Sequence, residues 1–61
     1  MTTKETRYSL YLDNVQKEWD RSYNMPLLNR NHLIIKYNDL LRALFHHNVE
    51  PEKVAGVIAM L

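Results

Sequence analysis

Over residues 30–47, Leu33, Tyr37, Leu40, Leu41 and Leu44 recur at steps of three and four, and Ile34 and Phe45 widen the apolar stripe. Lys36, Asp39, Arg42 and His46 fall on the other side, so the period predicts a helix over about residues 30–47. Asn29 or Asn31 is placed to cap its start, because an asparagine side chain accepts from the free amides of a first turn. Asn48 is placed to end it, being tolerant of left-handed backbone. A shorter helix is predicted over about residues 51–61. Pro51 suits a first helical position, where its missing N–H costs nothing. Val49 and Val54 are spaced as a hydrophobic staple across that start. Val54, Val57, Ile58 and Leu61 form one apolar face, which Gly56 weakens by about 1 kcal/mol relative to alanine. Residues 24–28 read as a connection, since Pro26 lacks a donor and pushes Met25 away from helical geometry.

The segment before this connection supports two readings. As a strand over about residues 7–12, Tyr8, Leu10 and Leu12 share one face and Arg7, Ser9 and Tyr11 the other. Asp13 then caps a helix over about residues 14–23, with Gln16 completing the box. As a helix over residues 3–24, Tyr8, Tyr11, Leu12, Val15, Trp19 and Tyr23 form one stripe. Thr2 and Glu5 then offer a capping box, and Asp13 and Lys17 an i,i+4 pair. Local pattern leaves the two nearly tied. One gives a mainly α chain with an N-terminal strand, and the other an all-α three-helix bundle.

Size sharpens the choice. A chain of 61 residues is one domain that buries only about 60% of its unfolded surface, so a partner chain is expected to complete its core. Cysteine is absent, which excludes a disulfide framework or a Cys-based zinc site. With 46% apolar and 25% charged residues the composition is globular. No signal peptide and no apolar run of spanning length is visible, so a cytoplasmic protein without membrane association is expected. The net charge is +1. The basic residues lean toward the front half and the acidic ones toward the tail, a slight asymmetry that fits a DNA-facing end.

Arg7-Tyr8-Ser9-Leu10-Tyr11-Leu12-Asp13, a helix, a turn, and then Asn29-Arg30-Asn31-His32-Leu33-Ile34 resemble the ribbon-helix-helix (MetJ/Arc-type) family of DNA-binding proteins over roughly residues 4–45. The resemblance implies a homodimer whose paired strands form a ribbon in the major groove of double-stranded DNA. It makes Arg7, Ser9 and Tyr11 the base readers and places Lys4, Asn29, Arg30 and Asn31 against phosphates. Tyr8, Leu10, Leu12, Val15, Trp19, Leu33, Tyr37, Leu40, Leu41 and Leu44 become the dimer core. The physics is compatible: a two-stranded ribbon fits the major groove, arginine pairs bidentately with guanine, and helix N-termini bind phosphate. Asn38 departs from the family pattern, standing where the second helix is usually apolar. A second, four-residue likeness, Tyr23-Asn24-Met25-Pro26, is to a segment of the small helical theta subunit of DNA polymerase.

The chemistry-bearing residues are sparse. His46 and His47 are adjacent and point about 100° apart on a helix, so no metal site is expected. No nucleophile–base arrangement and no glycine-rich loop is present, so neither an enzyme nor a bound cofactor is expected. Trp19 and the tyrosines read as core or interface residues. The expected function is therefore a small dimeric transcriptional repressor that occupies an operator. The alternative is an all-helical interaction module that modulates a larger protein, with Val54, Val57, Ile58 and Leu61, or else the first helix, as its contact.

Overall fold

The computed structural model describes residues 3–61, Lys4 by its backbone alone. Four helices follow in order: α1 (Lys4–Tyr23), α2 (Leu27–Lys36), α3 (Asn38–His46) and α4 (Pro51–Ala59). Among the described residues there is no strand. The ribbon-helix-helix architecture is thereby corrected to the all-α alternative. Residues 7–12 are the second and third turns of α1, and the helix expected over 14–23 is its continuation. The physical reason is backbone pairing. A lone strand at the front of a short chain leaves both its edges unpaired, whereas a helix satisfies its own amides and carbonyls.

Thr3 starts α1, its side chain accepting from the amide of Thr6 at 3.2 Å. Thr2, half of the expected capping box, lies outside the described residues. Asp13 does not cap a helix. It sits mid-helix with its carboxylate 3.5 Å from Lys17 Nζ, the i,i+4 pair of the helical reading. The helix closes at Asn24, left-handed at φ 48°, where the Trp19 carbonyl accepts the amides of Asn24 and Met25. The Tyr-Asn-Met-Pro run is thus the α1–α2 turn.

The helix expected over residues 30–47 begins earlier and is broken once. Pro26 precedes its first turn, neither Asn29 nor Asn31 caps it, and Tyr37 (φ −109°, ψ 25°) separates α2 from α3. Four-residue hydrogen bonds still span the break, from Tyr37 N–H to the Leu33 carbonyl and from Leu41 N–H to the Tyr37 carbonyl. The interruption is therefore a kink. It coincides with Asn38, the polar residue on the inward side, whose Oδ1 accepts from Tyr8 Oη at 3.0 Å. Asn48 ends α3 as expected, left-handed at φ 58°. Val49 N–H bonds the Leu44 carbonyl and Asn48 N–H the Phe45 carbonyl, which together make a Schellman turn.

Pro51 opens α4, with Val49 half-buried before it and Val54 buried four residues in. The helix stops at Ala59, two residues short of the expected end. Val54, Ala55 and Ile58 lie against α1 and form one core with Tyr8, Val15, Trp19 and Leu41. The Trp19 indole is fully buried, and its N–H donates to the Ala55 carbonyl at 2.9 Å. Gly56 faces the other side of the same contact: a Cβ there would lie 3.3 Å from Tyr23 Oη. α2 contributes no fully buried residue.

Candidate interaction surface

The three expected base readers do not form a reading face. On α1 Arg7 and Ser9 are exposed on opposite sides, and Tyr11 is half-buried, donating its hydroxyl to the Val49 carbonyl at 2.6 Å. They are corrected from ribbon residues to two solvated side chains and one packing residue. The Lys4 side chain lies outside the described side chains. Asn29, Arg30 and Asn31 are not the free start of a helix, because α2 begins at Leu27 and the Arg30 amide already bonds the Pro26 carbonyl at 3.0 Å. Arg30 is half-buried, and its Nε is buried without a hydrogen-bond partner.

Of the residues expected to line a dimer core, Tyr8, Val15, Trp19 and Leu41 are buried within the single chain. Leu12, Leu33, Tyr37 and Leu44 pack around them. Leu10 is 57% exposed on the outer face of α1, and Leu40 is also exposed. The core faces inward along helical, not alternating, positions. The expected docking face at the C-terminus is divided: Val54 and Ile58 are buried in the core, while Val57 and Leu61 are exposed beside Met60.

An aromatic corner joins α1 to α3. The Phe45 ring meets the Tyr8 ring edge-on at 5.3 Å and the Tyr11 ring at 5.1 Å. The Arg42 guanidinium lies over Tyr8, 4.4 Å from the ring centre, and its Nη1 is 3.6 Å from Glu5 Oε1. Burial pushes both phenols up from their ordinary range, although the Arg42 charge works against this at Tyr8. The corner therefore holds neutral tyrosines in structural roles. Elsewhere on α1, Glu18 accepts from Ser22 and Arg21, each at 2.7 Å, and these bonds, the serine's first, hold its carboxyl below the usual range.

Between α1 and the start of α4 lies an open polar cleft of about 740 Å³, lined by Asn14, Lys17, Glu18, Asp20, Arg21, Glu50, Pro51 and Glu52. Its charges are of both signs. Among the described residues no three His, Asp or Glu side chains come together as a metal site, and no helix is long and apolar enough to cross a membrane.

The remaining feature is apolar and was missed in the sequence. Five of the ten residues of α2 are leucine or isoleucine, yet Leu27, Leu28 and Ile35 are exposed, at 58%, 81% and 79%. Leu33, Ile34 and Tyr37 turn toward the core instead. Leu28, His32 and Ile35 follow at steps of four and three, so they share the outward side. Leu28, His32, Asn29, Leu33 and Met25 line a groove of about 440 Å³ beside this ridge. The signal was available in Leu27-Leu28 and Ile34-Ile35. Successive residues point 100° apart on a helix, so with Leu33 and Ile34 turned inward Ile35 is carried to the outer side. A second exposed group, Val57, Met60 and Leu61, ends the chain.

No protein-family model matches this chain, and neither the curated proteins nor the solved structures contain a match to it.

Proposed function

We propose that this protein is an all-helical interaction module that docks on a larger protein and modulates it. The observation that carries this reading is α2, a helix half composed of large aliphatic residues that buries none of them fully. Single exposed leucines are ordinary, but Leu27, Leu28 and Ile35 are all exposed on one ten-residue helix, and gathered exposed apolar side chains mark protein contacts. The core does not need them, since α1 and α4 supply six of its seven buried residues. Residues 7–12, on which the operator-binding reading relied for a ribbon, are helical.

The test is site-specific photocrosslinking in cells that make the protein, with the reactive group at Leu28, at Met60, or at Asp13 as a solvent-face control. One discrete larger adduct from Leu28 or Met60, missing from Asp13, is expected. A ladder common to all three positions, or no adduct from either apolar site, would refute the reading.

A further inference from the structure

We propose that the outward face of α2 is a docking groove for an acidic amphipathic helix of a partner protein. This rests on the interaction reading above and names the surface and the partner's chemistry. Shape supplies the first argument. A groove of about 440 Å³ floored by Leu33 and Met25 and edged by Leu28 accepts a protruding side chain, as a helix laid into a groove presents at i, i+3 and i+7. Exposed Ile35 extends the apolar line by two turns beyond Leu28.

Charge supplies the second argument and selects the occupant. Residues 22–38 contain Arg30, His32 and Lys36 and no aspartate or glutamate. Lys36 stands one turn beyond His32 on the groove side, exposed and folded toward the Tyr37 ring at 5.4 Å. Among the described residues no carboxylate lies within ion-pair distance of it, whereas Lys17 and Arg21 on α1 are matched by Asp13 and Glu18. Lys36, one turn beyond the lining residue His32, therefore sets one lysine charge without an ion-pair partner beside exposed apolar surface. A complementary helix brings apolar anchors flanked by carboxylates.

Other occupants fit less well. A second copy meeting α2 with its own α2 brings the same carboxylate-free segment and so offers Lys36 no opposite charge. A planar lipid surface leaves the groove unfilled, and membrane-surface helices carry richer basic faces than this one.

The experiment is an amide-shift titration of the full ¹⁵N-labelled chain with two synthetic helical peptides. Both carry leucines at i, i+3, i+4 and i+7; one has glutamates at the flanking positions and the other lysines. The acidic peptide is expected to shift Leu28, His32, Ile35 and Lys36 and to bind roughly fivefold to tenfold more tightly than the basic one, a ratio that shrinks in high salt. Lys36→Glu should erase or reverse that preference. Leu28→Glu should weaken both peptides more than tenfold while leaving the helical circular dichroism unchanged. Equal affinities insensitive to Lys36→Glu would overturn the proposal, as would no shift with either peptide. Shifts confined to residues 57–61 would also overturn it while leaving the interaction reading intact. So would protein-concentration-dependent shifts without peptide, which would assign the face to a second copy, or binding to phosphatidylglycerol vesicles in place of the peptides.

Discussion

Replacing Trp19 tests the packing on which the whole architecture depends. Its side chain is fully buried between α1 and α4, and its indole N–H holds the Ala55 carbonyl at 2.9 Å. Trp19→Ala removes the largest fully buried side chain and should cost about 3–5 kcal/mol. A 61-residue domain commands only about 3–9 kcal/mol in total, so this variant should be largely unfolded. Trp19→Phe keeps most of the apolar contact but deletes the donor. The lost bond and the smaller ring together should cost about 2 kcal/mol. With a urea slope near 1 kcal/mol/M for so small a chain, the midpoint should fall by about 2 M. The assay is urea unfolding followed at 222 nm by circular dichroism, because the substitution removes the only tryptophan fluorophore. If Trp19→Ala unfolds at the wild-type midpoint, the residue is not buried between α1 and α4 and the helical packing described above is wrong.

Leu10→Glu should change stability by less than about 0.5 kcal/mol, because the side chain lies on the solvent face of α1; a collapse of the thermal transition would instead place Leu10 in a core. Gly56→Ala should stabilise the protein by about 0.5 kcal/mol, since the helix gains up to about 1 kcal/mol and the half-exposed Tyr23 phenol can give way at its far end; a lowered Tm would show that the phenol is held fast. Thr3→Ala should cost about 1 kcal/mol and fray the first turn of α1, raising amide exchange at Thr6. Alkali should destabilise the fold. The folded pKa values of Tyr8 and Tyr11 are raised, so their stabilising share is fully present below the ordinary tyrosine value of 10.0 and is lost as pH climbs through the folded values. Tyrosinate absorbance at 295 nm should accordingly show a late-ionising component that Tyr8→Phe and Tyr11→Phe each diminish, and its absence would contradict the aromatic corner.

The helical periods of residues 30–47 and 51–61, the staple at Val49 and Val54, and the end of α3 at Asn48 were legible because each depends on neighbours a few residues apart. Spacing places side chains on a face, a proline or asparagine sets its own backbone, and no distant contact is needed to read either. The same locality explains the failure at residues 7–12. Tyr8, Leu10 and Leu12 alternate as a strand, while Tyr8, Tyr11, Leu12, Val15 and Trp19 recur as a helix, and both patterns are present in the same letters. The choice belonged to the tertiary structure: α4 offers Ala55 and Ile58 to a helical stripe, Asn38 offers Oδ1 to Tyr8, and nothing described in the chain offers a strand edge. The candidate site was hidden for the converse reason. Composition shows that α2 is apolar, but which of its leucines and isoleucines remain outside depends on how much of the helix α1 and α3 cover. Burial is a property of the assembled helices, and only their packing leaves Leu28 and Ile35 facing water.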